Sequence, residues 1–220
     1  GAVKAVAENK ASFYIDQEYD SEARQILQAT LVKTSPSVYF YIEKKWWDAK
    51  GQNQKGAVLS SLDSLSNEFD NKIYPTLAST FGTEWRPGID SDTKITVLFH
   101  EMGEGVGGYV RSSDEYSKLQ EPSSNQKEMI YLPIEQLMSP KLKEFLAHEF
   151  SHLIIFNQKE KLQGVQEEIW LNEARADYAS TILGYNDFYQ GSNLQRRIVD
   201  FLQKPDDSLV EWQGSKYDYA

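Results

Sequence analysis

The feature that most constrains this sequence is a pair of histidines, His148 and His152, set four residues apart inside an apolar stretch. Four residues turn an α-helix through about 400°, so both imidazoles leave one face, about one turn apart. Leu142, Phe145, Leu146, Phe150, Leu153 and Ile154 recur at helical spacing around them and predict a buried helix. Ionisable groups on such a helix are costly unless they are partnered. The sequence has no cysteine and three histidines, so an ion shared with this pair must take its other protein ligands from His, Asp or Glu. Glu149 lies about 100° round the helix from His148, beside such an ion rather than on it, where a general base belongs.

A catalytic zinc usually takes three protein ligands and leaves a fourth position open. The stretch 170–178 follows His152 after enough chain for a loop and a returning helix, and Glu173 and Asp177 share one face of that helix. Glu173 is the expected third ligand. Asp177, one turn on, is expected to accept a hydrogen bond from the ring nitrogen of a histidine that does not bind the metal, with His148 favoured and His152 left open. A solvated acidic pair would have the same composition, but Leu171, Ala174 and Tyr178 flank it as a packing face would.

The rest of the chain reads as α+β, strands first and helices last. Residues 29–32 and 38–42, separated by Thr34-Ser35-Pro36-Ser37, predict a β-hairpin in an N-terminal region 1–50, with 51–220 as a second, catalytic region. Leu62, Leu65, Phe69 and Ile73 predict an amphipathic helix over 54–80 whose apolar face packs under a sheet. Strands are expected at 94–99 and 128–132. Between them a glycine-rich segment, 103–110, re-enters the sheet, serving either as a turn or as backbone that lies close to a ligand, and 112–126 is a polar loop. From Ser139, read as an N-cap with Pro140 at the first helical position, the pattern turns helical, with further helices at 166–183 and 193–202. His100, at the end of a strand, carries no assigned role.

The formal charge of −10 opposes binding to nucleic acid or anionic lipid. No apolar run is long enough to span a bilayer. Residues 1–6 do not read as a signal peptide, and a cysteine-free chain fits an exported bacterial protein, so a secreted or cell-surface location is expected.

His148-Glu149-x-x-His152 followed by Asn172-Glu173-x-x-x-Asp177 resembles the thermolysin-type gluzincins. Gly107-Gly108-Tyr109-Val110, Glu128-Met129-Ile130-Tyr131-Leu132, Leu146-Ala147-His148-Glu149-Phe150 and Trp170-Leu171-Asn172-Glu173 resemble, in that order, the hyicolysin-like secreted bacterial metallopeptidases, over roughly residues 94 to 185. The resemblance implies a zincin-type fold, with a twisted β-sheet lobe packed on the helix that carries both histidines and a mainly helical C-terminal lobe. That lobe looks shortened, because similarity near Trp212 and Tyr217-Asp218-Tyr219 is followed at once by Ala220. Ala174 stands where many relatives carry glycine.

It also implies one Zn2+ ion, held by His148, His152 and Glu173, and an endopeptidase acting on proteins or peptides with Glu149 as base. Structural Ca2+ is a further candidate. The strand at Gly107, Gly108 and Tyr109 is implied as the edge along which an extended peptide lies. Thermolysin-like enzymes stabilise the oxyanion with a downstream histidine, and none follows His152, so a tyrosine is expected instead. Tyr178, Tyr185, Tyr217 and Tyr219 are the candidates, and Tyr219 is the one chosen. Two other readings stand beside this one. An aminopeptidase would hold the substrate amine with Glu101, Glu104 or Asp114, and a zinc-binding interaction module would have no hydrolytic activity.

Overall fold

The computed structural model describes residues 8–185 and 193–206. Its architecture is mixed α and β, with one five-stranded sheet. β1 (Lys10–Tyr14), β2 (Ile26–Thr34) and β3 (Val38–Glu43) run antiparallel. The hairpin between β2 and β3 closes on Ser35, whose hydroxyl accepts the Val38 amide at 3.1 Å and whose own amide bonds the Val38 carbonyl at 2.8 Å. β4 (Ile95–His100) then lies parallel to β3, and β5 (Met129–Pro133) parallel to β4, in the order β1-β2-β3-β4-β5.

Parallel neighbours need a crossover, and helices supply the one between β3 and β4. It consists of α1 (Lys44–Asp48), α2 (Gln52–Glu68), a wide π turn over Phe69–Ile73, and α3 (Tyr74–Phe81). The π turn has a sequence cause. Leu65, Phe69, Ile73 and Leu77 follow one another at intervals of four, which in a regular α-helix would carry the apolar stripe off the core face. Widening the turn keeps all four buried.

Alternation along the strands creates two cores. Phe40, Ile42, Val97, Phe99, Ile130 and Leu132 face the helices, where they meet Leu62, Phe69, Leu146, Phe150 and Leu153. Tyr41, Leu98, Met129 and Tyr131 face the other way and pack with Phe13, Leu27, Met102 and Tyr109. Every residue of β4 and β5 is buried, as expected of parallel strands covered on both faces.

The helix carrying the histidines, α4 (Leu142–Ile155), lies under β5 and is fixed by Phe150, whose ring meets Phe69 edge-on at 5.0 Å. It begins at Leu142 rather than at Pro140: a 3-10 turn over Ile134–Met138 precedes it, and residues 139–141 form a non-helical junction. Ser139 holds the junction, accepting the Lys141 amide on its hydroxyl and the Leu142 amide on its carbonyl. α5 (Ile169–Ile182) packs on α4, and α6 (Asn193–Gln203) follows. Among the described residues no helix is long and apolar enough to cross a membrane.

Two expectations about exposure are corrected. The polar segment 112–126 is not solvated throughout: Asp114 is fully buried, where it accepts the Tyr131 hydroxyl at 2.5 Å and the Asn125 amide at 2.9 Å. Ala174 and Tyr178 lie on the exposed side of α5, and the side that packs consists of Ala176, Ala179, Ser180 and Leu183.

Candidate metal centre

On α4 the four-residue spacing places the His148 and His152 Nε2 atoms 3.2 Å apart, facing one point. α5 presents Glu173 to the same point, with Oε2 3.4 Å from His148 Nε2 and Oε1 3.7 Å from His152 Nε2. Ligand atoms about 2.0–2.1 Å from a tetrahedral zinc lie about 3.3–3.4 Å from one another. Three donors already at nearly this separation fit such an ion with little rearrangement. Among the described residues this is the one group of His, Asp and Glu side chains gathered closely enough to hold a metal ion, and no separate carboxylate cluster for calcium appears beside it.

The outer nitrogens of the histidines are also engaged. His148 Nδ1 lies 3.0 Å from Asp177 Oδ1, the partner favoured from sequence, and His152 Nδ1 lies 2.8 Å from Asn172 Oδ1. Sequence reasoning assigned Asn172 no role, although its place directly before Glu173 puts it on the same end of α5. An acceptor oxygen at each Nδ1, a carboxylate for His148 and an amide carbonyl for His152, keeps a proton there and leaves each Nε2 lone pair for a metal.

The electrostatics follow from this packing. Burial alone would push the His148 imidazole down, but hydrogen bonds with Asp177 and Glu173 and the nearby Glu149 charge outweigh it and lift it to about 10. Burial pushes the Glu173 carboxyl up, and the two imidazoles more than reverse this, holding it below the usual carboxylate range. Glu149, only 5% exposed, is pushed up by burial despite both imidazoles.

Gly108 explains how a buried Glu149 still has room beside the donors. A Cβ on Gly108 would stand 2.8 Å from Glu149 Oε1, and its φ of +150° is open to glycine and strained for other residues. A Cβ on Gly107 would crowd the Phe145 ring at 3.1 Å. The glycine segment therefore lies against α4. The strand expected there shortens to a single antiparallel bridge, in which Tyr109 exchanges both backbone hydrogen bonds with Tyr131 at 3.0 Å outside β5. The Tyr109 ring is buried and stacks on Tyr131 at 4.4 Å, so its contribution to a ligand is limited mainly to its backbone.

These groups line a cleft of about 400 Å³, bounded by Tyr19, Gly108, Tyr109, Val110, Glu149 and Ile169 together with the three donors. The chain is 31% identical over 176 residues to the neutral metalloprotease ShpI of Staphylococcus hyicus, which covers 71% of this chain and 34% of that relative. The similarity supports a metallopeptidase family. The chain spans about a third of the length of this metallopeptidase relative. No family model matches it.

The remaining candidates fall in different places. Tyr185 is buried, with its hydroxyl on Glu68 at 2.7 Å, and Tyr178 lies outside the cleft lining. Tyr217 and Tyr219 lie outside the described residues. Glu101, Glu104 and Asp114 are not among the cleft residues. His100 is fully buried behind the site, with Nε2 3.2 Å from the Tyr109 hydroxyl and Nδ1 3.3 Å from Asp20, and burial lowers its pKa.

Proposed function

We propose that this chain is a zinc-dependent endopeptidase of the gluzincin type, with His148, His152 and Glu173 as metal ligands and Glu149 as general base. The observation that carries this reading is the convergence of two Nε2 atoms and one carboxylate at tetrahedral spacing, with Glu149 alongside and outside the ligand set. A structural zinc would be expected to close its shell with a fourth protein ligand, and among the described residues none joins the three.

When bound, zinc polarises the scissile carbonyl and makes an attacking water more acidic. Glu149 takes a proton from that water as its oxygen bonds to the carbonyl carbon, then delivers the proton to the leaving nitrogen as the C–N bond breaks. Asp177 and Asn172 hold the imidazoles in the orientation and tautomer that ligation needs.

The substrate in this reading is a protein or peptide in extended form. Gly108 and Val110 flank the Tyr109–Tyr131 bridge and line the cleft, which puts backbone groups within reach of an extended peptide lying there. Glu101, Glu104 and Asp114, the acids considered for capture of a free amine, are not among the residues that line the cleft. A zincin fold and an extracellular site of action belong to the same proposal.

Metal analysis combined with a casein digest of the wild type and Glu149→Gln tests it. One bound zinc in both proteins, with hydrolysis confined to the wild type, is the expected result. Equal hydrolysis by both, or no zinc in either, overturns it.

A further inference from the structure

Tyr19 reaches the cleft from a part of the chain far from the histidines in sequence. It lies in the loop between β1 and β2, is 40% exposed, and shares the cleft wall with His148, Glu149, His152 and Glu173. Surface loops are in general more mobile than the elements they connect. This one is held on both sides.

The loop is tied down by charge buried behind it. Asp20, only 6% exposed, accepts the Arg24 guanidinium at 2.8 and 2.9 Å and the backbone amides of Glu22 and Arg24. Arg24 continues to Glu43 at 2.6 Å, and Glu43 accepts the Glu101 amide at 3.1 Å, which ties the loop to the ends of β3 and β4. The Tyr19 carbonyl accepts the Gly103 amide at 2.9 Å. Its ring leans on that of Tyr109 at 4.9 Å, while the Tyr109 hydroxyl accepts the Asp16 amide at 3.1 Å. Buried charge is costly, and its effect here is to fix the backbone on either side of one exposed phenol.

We propose that Tyr19 is a catalytic residue whose hydroxyl donates a hydrogen bond to the scissile carbonyl oxygen as negative charge develops on it. The assignment rests on the peptidase reading above and adds to it the second oxyanion donor, placed upstream of the histidines rather than downstream. A phenol suits the task because it donates while neutral. Burial and the charges of Asp16, Glu18, Glu149 and Glu173 all raise its pKa, so it keeps its proton at neutral pH. The Asp20-Arg24-Glu43 network acts through Tyr19 and is a positioning device.

The test compares wild type, Tyr19→Phe, Tyr178→Phe and Glu149→Gln, each zinc-loaded, on a blocked peptide, alongside calorimetric binding of a peptidyl phosphonate. Phe keeps the ring contact with Tyr109 and removes only the hydroxyl. We expect Tyr19→Phe to lower kcat about 100-fold with KM little changed. Phosphonate affinity should fall in parallel, with zinc content and Tm unaltered, and Tyr178→Phe should match the wild type. Unchanged kcat and phosphonate affinity in Tyr19→Phe, or a rise in KM alone, overturn the assignment while leaving an active wild type and inactive Glu149→Gln intact. A wild type that hydrolyses nothing overturns the peptidase reading and this assignment with it.

Discussion

His148 Nδ1 stands 3.0 Å from Asp177 Oδ1, and this contact decides which nitrogen of His148 faces Glu173. Asp177→Ala should leave the imidazole free to rotate and exchange tautomers, lowering zinc affinity about 10- to 100-fold. Asn172→Ala should do the same to His152, from which its Oδ1 lies 2.8 Å. Competition with a chromogenic chelator measures both. An affinity within twofold of wild type would show that the ligands need no such support.

Gly108→Ala places a methyl group 2.8 Å from Glu149 Oε1 at a φ of +150°. The backbone or the base must move, so a stability loss of about 1–2 kcal/mol and a larger fall in kcat are expected. Denaturant unfolding and peptide hydrolysis, read on the same preparations, separate the two effects. Activity equal to wild type would mean that Glu149 need not lie against the glycine segment.

In the metal-free protein the His148 imidazole is raised from 6.5 to about 10. A group raised in the folded state stabilises that state fully below its unfolded pKa, and the contribution is lost as pH rises through the folded value. Metal-free wild type should therefore lose stability between about pH 6.5 and 10 relative to His148→Gln, as denaturant midpoints will show. Zinc must displace the same proton, so its affinity should rise up to about tenfold per pH unit across that window.

Glu128, directly before β5, is a separate reporter outside the lining of the cleft. Burial raises its carboxyl from 4.5 to about 7, against the Ile89 amide that it accepts at 3.0 Å. The stability it contributes is complete below about pH 4.5 and is lost as pH rises through about 7, a change on the order of 3 kcal/mol. Glu128→Gln can still accept the Ile89 amide and should flatten that part of the stability profile. A wild-type profile that runs parallel to the variant's from pH 4 to 8 would contradict the assignment.

What the sequence determined by itself is local. Apolar spacing set α4, α5 and the outer limits of the run from α2 to α3 to within a few residues, though not the π turn that divides that run, alternation and turn residues set the β2-β3 hairpin, and the intervals of four between His148 and His152 and between Glu173 and Asp177 fixed which side chains share a face, because helical geometry is a property of the nearest few residues. What only the tertiary structure decided depends on which distant segments meet. Asn172 and His152 become partners through the packing of α5 on α4, Asp114 turns from a surface acid into a buried anchor because Tyr131 lies above it, and Tyr19 enters the cleft because an ion-pair network binds the β1-β2 loop to the far ends of two strands. Such contacts join residues 17 to 58 positions apart, and no local period encodes them, since they follow from how the sheet and helices bury their apolar faces against one another.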